Sequence, residues 1–234
     1  MEVSKLLEII RIKTDDVIII DDSDSLFKTS EILYYINNAL REVVFRGRML
    51  VKQDYTINLL TGVSEYPVPS GVVQVTQVID ENSQGLSKIQ EIDFNQKYFN
   101  TYNDNFANGT VSNNWRTDTA DLPYAYMQNS VNNKLKFYPI PSKDSIVNLR
   151  GSYIVEELDE TDDIPIELSE IYHPDLIYWV LYEMYGKQDA DVFDPQESEN
   201  NFNKFEEIFG KKITGEQFQE MLEFPDDAGS LRDY

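Results

Sequence analysis

Acid–base and nucleophilic chemistry at neutral pH draws mostly on histidine and cysteine, and this sequence holds one His and no Cys. His173 precedes Pro174 at an expected helix start, a position where an imidazole caps or packs, and no triad can be assembled around it from chain spacing. The absence of cysteine excludes a thiolate nucleophile, a disulfide framework and a sulfur-bound zinc. Acid-rich runs at residues 21–24 and 156–163 offer the oxygen ligands that a hard cation takes. A calcium loop begun at Asp22 has Asp24 correctly third, but Leu26, Phe27 and Leu33 occupy the places that require an oxygen ligand, glycine and glutamate. Both runs therefore read as solvated loops. Among 42 acids any chosen carboxylate pair for glycoside hydrolysis is uninformative, and the 10 glycines form neither GxxxxGK[ST] nor GxGxxG. No catalytic residue, metal or cofactor is expected.

Aromatic side chains are the other chemistry-bearing group. Tyr98, Phe99, Tyr102, Phe106, Trp115, Tyr124 and Tyr126 are dense enough to stack on nucleic-acid bases. Base stacking also needs a basic groove, yet residues 95–130 supply only Lys97 and Arg116, so protein contact or local packing is the expected use. Tyr178, Trp179, Tyr182 and Tyr185 are expected to cover helix faces. The formal charge of -22 is uneven: residues 151–234 hold 23 acids and 5 bases. Such a surface repels DNA phosphates, and suits a basic protein partner or a wall that DNA passes without adhering. A hydrophobic fraction of 41% predicts a folded chain. The longest aliphatic run, residues 17–20, is too short to cross a bilayer, and Glu8 interrupts the only candidate signal core, so an intracellular, non-membrane product is expected.

The elements that must position these residues fall in a simple order. Leu6, Leu7 and Ile10 predict a short N-terminal helix, and residues 17–20, bracketed by acids, a short strand. Leu33, Ile36, Leu40, Val43 and Val44 predict a long helix that exits at Gly47. From residue 51 the period becomes two, through Tyr55, Ile57 and Leu59, a Thr61-Gly62 turn and Val73, Val75, Val78 and Ile79. Residues 80–130 show little periodicity and predict long loops with short elements; LKFYPIP and IVNLRGSYIVEEL then predict a hairpin. Helical spacing returns at Leu168, Ile171 and Tyr172 and continues to Gly186. A last helix opens at Asp194-Pro195-Gln196-Glu197 and carries Phe202, Phe205 and Phe209 up to Gly210. The fold class is α+β: a helical bundle of N- and C-terminal helices (1–50 and 161–210) with an inserted antiparallel β subdomain (51–160), followed by an acidic C-terminal arm (211–234).

Four stretches carry a resemblance to a known family: the helix SEILYYINNALREVV, the segment LLTGVSEYPVPSGVVQVTQVI, the hairpin LKFYPIP, and IPIELSEIYHPDLIYWVLYEMYGKQDADVF before the Phe-rich helix. In this order they resemble the head-to-tail adaptor proteins of tailed phages. The resemblance implies a virion protein at the head-tail junction, assembled in the host cytoplasm as a homo-oligomeric ring, usually a dodecamer. Its partners would be the portal protein above and a tail or nozzle protein below, with DNA passing through a negative lumen. It also implies a portal-docking arm, for which Phe218, Met221, Leu222 and Phe224 are the candidate anchors. Two other classes compete: an acidic DNA mimic that blocks a host nucleic-acid enzyme, motivated by the charge, and a carboxylate-based polysaccharide hydrolase.

Overall fold

The computed structural model describes residues 1–16, 25–47, 49–89, 117–129, 132–188 and 191–217. The expected strand at residues 17–20, the aromatics from Tyr98 to Trp115 and the arm anchors Phe218, Met221, Leu222 and Phe224 lie outside them. The fold is α+β, in two compact units: Met1–Val51 with Ser152–Ile213, and Lys52–Gly151 with the chain from Thr214 on.

The first unit contains α1 (Val3–Thr14), α2 (Thr29–Gly47), α3 (Ile177–Gly186) and α4 (Pro195–Phe209). In α1, Val3, Leu6, Leu7 and Ile10 recur at three- and four-residue spacing and are buried together. Its first turn is tied to an extended segment, Val3 N–H donating to Asp162 O at 2.9 Å. In α2 the buried stripe is Ile32, Ile36, Ala39, Leu40, Val43 and Val44. Ile32 rather than Leu33 begins it, one position from the sequence reading. Apolar nearly all round, α3 touches α1, α2 and α4, which is why IYWVLYEM can bury Ile177, Trp179, Val180, Leu181 and Met184 at once. Upstream of α3, Pro174 cannot donate to an α-helical ladder. The expected helix around Leu168 and Ile171 is instead a pair of 3₁₀ turns, Glu170–Tyr172 and Pro174–Leu176, with Ile171 in solvent. The start of α4 follows its sequence signals: Asp194 Oδ1 accepts from Gln196 N–H at 3.1 Å and Glu197 N–H at 3.0 Å, with Pro195 first in the helix.

Among the described residues, three sheets form the second unit. One has the order β1 (Val51–Leu59), β9 (Ser145–Tyr153), β3 (Val72–Asp80). Another has the order β2 (Glu65–Pro67), β7 (Lys134–Tyr138), β6 (Ala125–Asn129), β4 (Ser87–Lys88), with β6 and β2 antiparallel to β7. The third pairs β5 (Thr119–Ala120) with β8 (Ile140–Pro141). Ile57, Leu59, Tyr66, Val75, Val78, Tyr126, Leu135, Phe137, Val147 and Leu149 share one core. From Ser145 to Arg150 burial alternates, Ser145, Val147 and Leu149 inward and Ile146, Asn148 and Arg150 outward. Gly151 lies so near β3 that a Cβ there would stand 2.5 Å from Gln74 O.

The expected hairpin between residues 135–141 and 146–158 does not form, because β7 and β9 belong to different sheets. Pro139 and Pro141 cannot donate, so the strand ends at Tyr138, and Ile140 between them donates to Asp118 O at 2.9 Å.

Candidate interaction surfaces

The chemistry-bearing residues of the helical unit are committed to holding it together. His173, almost wholly buried, donates from Nε2 to Leu168 O at 2.8 Å and accepts at Nδ1 from the Met1 nitrogen at 3.3 Å. Its ring thus locks the 3₁₀ segment to the start of the chain, the packing role expected from its place before Pro174. Asp16, also buried, accepts from Leu26 N–H at 2.8 Å, Phe27 N–H at 3.1 Å and Arg11 Nη1 at 3.2 Å. Arg11 donates onward to Phe27 O and Thr29 Oγ1, so one ion pair fixes both the end of α1 and the approach to α2.

Arg46 is a second hub. Its side chain is 2% exposed; Nε donates to Glu42 at 3.1 Å and Nη1 to Glu206 at 2.8 Å and to Gly210 O at 3.1 Å. The rings of Trp179, Phe202 and Phe205 lie 5.3 to 5.5 Å from the guanidinium carbon, so a plane of charge is enclosed by aromatic faces. Tyr182 and Phe209 extend this ring cluster along α3 and α4. Nearby, burial raises the Glu183 carboxyl above its ordinary value, the Trp179 indole opposing and Glu42 adding to the shift. Burial likewise raises Tyr185, helped by Glu197 and Asp194.

The acids of residues 156–163 behave as the solvated turn that the sequence predicts. Asp159 N–H donates to Asp162 Oδ2 at 2.7 Å, and Leu158 N–H donates to Asn37 Oδ1 at 2.8 Å. Among the described residues no group of three or more potential ligands could hold a metal ion. Nor is any described helix long and apolar enough to cross a membrane. Of the dense aromatics, Tyr126 is buried in the β core, while Tyr124 is exposed and stacks edge-on against Tyr138 at 5.4 Å.

Among the described residues, two of the exposed apolar features escaped the sequence reading. The first is the turn at residues 60–63, where four successive backbone N–H groups all have acceptors: Leu60 to Tyr66 Oη at 2.6 Å, Thr61 to Asp144 Oδ1 at 2.8 Å, Gly62 to Pro141 O at 2.8 Å and Val63 to Leu60 O at 3.0 Å. Thr61 Oγ1 also donates to Asp144 Oδ1, and the backbone and hydroxyl bonds from Thr61 together hold the Asp144 carboxyl below its usual range. On this fixed backbone Leu60 is 52% and Val63 38% exposed. The signal was a break in period: Tyr55, Ile57 and Leu59 take the inward phase, so Leu60 is an apolar residue on the outward phase.

The second feature is a groove of about 230 Å³ between α3 and α4, lined by Tyr182, Phe193, Pro195, Glu199 and Phe202. Phe193, 50% exposed, sits just before the Asp194 cap, where an apolar residue commonly staples to one four places into the helix. That place is Ser198, whose Oγ donates to Tyr182 O at 2.9 Å, so Phe193 has no staple and stays open.

A family model described as SU10 adaptor protein matches residues 1–223. A search of curated proteins returned no match.

Proposed function

Because the chain belongs to the SU10 adaptor protein family, whose members are structural phage adaptors, we propose that it forms a ring between the portal and the tail of a virion and lines the channel through which DNA passes. The observation that carries this reading is the length of the match: it covers the whole of the helical unit and the second unit up to residue 223. The role is structural rather than catalytic. His173, Asp16 and Arg46, the buried groups best suited to chemistry, are each saturated by bonds that tie chain segments together.

In this reading residues 1–50 and 161–210 are the bundle of the adaptor, 51–160 is its inserted β subdomain, and 211–234 is the arm that docks on the portal through Phe218, Met221, Leu222 and Phe224. Four apolar anchors in an otherwise acidic segment suit order gained on binding a groove. The ring would be a dodecamer, as the family resemblance implies. Charge supports the channel assignment: Met1–Val51 with Ser152–Ile213 holds 26 acids against 11 bases, a surface that passing phosphates do not adhere to.

The test is electron microscopy of the purified protein mixed with the portal of the same phage. A new cyclic layer beneath the portal is expected, and deletion of residues 211–234 should weaken its attachment. A protein that stays monomeric beside an intact portal would overturn the adaptor ring; full attachment without 211–234 would overturn the arm.

A further inference from the structure

Within the helical unit, Ser4, Leu7, Glu8, Arg11 and Ile12 share one face of α1 and line an open groove of about 380 Å³, completed by Thr29 of α2 and by Glu160. Pockets for bound groups begin at roughly 300 Å³, so the groove has room for a long side chain from outside. We infer that it is a docking site for a basic segment of another protein, whose lysine or arginine lays its aliphatic stem on Leu7 and Ile12 and brings its charge to Glu8 and Glu160. That such a partner exists rests on the adaptor reading, in which the portal and the tail protein are the candidates.

The lining selects this occupant by charge. Glu8 and Glu160 are exposed, and neither carboxylate has a base partner among the described residues. Arg11, the base in the lining, donates to Asp16 at 3.2 Å and to Thr29 at 2.8 Å, so its charge is already answered by an acid outside the groove. Uncompensated negative charge is thus set beside apolar surface, with Ile12 67% exposed. A long cationic side chain satisfies both parts at once, its methylenes on the apolar wall and its head at the carboxylates. A bare metal ion does not, for no group of three or more potential ligands among the described residues could hold one. Nucleic-acid phosphates are repelled by the same carboxylates. A second copy has little to offer, because Lys52, Lys134, Lys136, Lys143, Lys187 and Lys212 are each paired with an acid of their own chain. The site is also preformed: Ser4 N–H donates to Glu160 O at 3.2 Å, which fixes the acid turn against α1 before a partner arrives.

The test is the affinity of the purified full chain for the portal and, separately, for the tail protein of the same phage. Glu8→Lys and Glu160→Lys should each weaken binding to one of these two proteins by about tenfold or more, and Ile12→Ser should weaken binding to the same one. Glu207→Lys makes the same change of charge at an exposed acid of α4 that does not line the groove, and should bind within about twofold of wild type. All four positions are exposed, so the melting temperature of the free protein should not move. Unchanged binding of both partners by Glu8→Lys and Glu160→Lys would overturn the groove and leave the adaptor ring standing. Equal weakening by Glu207→Lys would also overturn it, since the attraction would then belong to the net charge of the chain. A wild-type protein that binds neither partner would overturn the adaptor reading, and the docking site with it.

Discussion

Replacing Arg46 should cost more stability than replacing any other charged residue of α2. The side chain is enclosed by Trp179, Phe202 and Phe205 and joined to Glu42, Glu206 and the Gly210 carbonyl. Removing one partner of a buried ion pair typically costs about 3–5 kcal/mol, because the remaining charge is stranded. Here the stranding is incomplete: the Glu206 side chain is 23% exposed and Glu42 keeps Lys212 as a second partner, so the ionic loss sits at the low end, about 3 kcal/mol. Loss of the aromatic faces adds about 1 kcal/mol. Arg46→Ala should therefore destabilise the protein by about 3–4 kcal/mol, a fall in Tm of roughly 6–16 °C for a chain of this size. Lys at this position keeps the charge but not the planar fork, and should lose about half as much. Arg46→Met keeps most of the volume yet strands the same acids, and should resemble Ala. Urea unfolding followed by Trp179 fluorescence in a Trp115→Phe background would read these differences, since the chain has 2 Trp. An Arg46→Ala or Arg46→Met protein within about 1 kcal/mol of wild type would refute the reasoning, for the acids would then have found water at little cost.

Three further outcomes follow from geometry. Asp16→Ala removes the acceptor of two backbone N–H groups and the partner of Arg11, and should cost about 2–4 kcal/mol by denaturant titration, whereas Asp16→Asn, which keeps an acceptor oxygen, should cost less. Gly151→Ala places a methyl 2.5 Å from the Gln74 carbonyl and 3.0 Å from Val72, so β9 and β3 must part; overpacking of this kind costs about 1–3 kcal/mol and should speed amide exchange in both strands. Glu183, raised by burial, binds its proton more tightly folded than unfolded, so its contribution to stability is greatest at low pH and is lost as pH rises upward from the ordinary value of 4.5. Subtracting the stability-pH profile of Glu183→Gln from that of wild type should isolate this downward slope; a flat or rising difference would contradict the burial cause.

Legibility in the sequence followed the range of the interactions involved. Elements set by local chemistry were readable: α2 by its apolar stripe and terminal Gly47, α4 by the Asp194-Pro195-Glu197 start and the Gly210 end. Alternation revealed β1, and the two prolines after Tyr138 warned against a continuous strand. Pairing was not readable, because the partner of β7 is chosen by β6 and β2 across the sheet rather than by the nearest downstream strand, and the hairpin expectation failed there. At residues 164–176 apolar spacing suggested one helix, but Pro174 divided it into turns and left Ile171 exposed. On the surface, Leu60 and Phe193 carried no mark in the periodicity reading. Each betrays itself only by a mismatch: Leu60 with the strand phase, Phe193 with the Ser that stands where its staple partner belongs.

The chain leaves the helical unit at Val51 and returns at Ser152, and beside this exit Tyr153 N–H donates to Leu50 O at 3.1 Å. A hundred-residue excursion thus starts and finishes at neighbouring atoms. To the helices on either side, that excursion is equivalent to a tight turn, since closing it asks nothing of their spacing. A lineage could lengthen, swap or discard the β portion without repacking the Arg46 cluster. Conversely, replacing Lys52–Gly151 by a two- or three-residue turn should leave a helical remnant that still folds. The join is a natural cassette boundary, where one half of the protein is free to follow a changing neighbour while the other stays as it is.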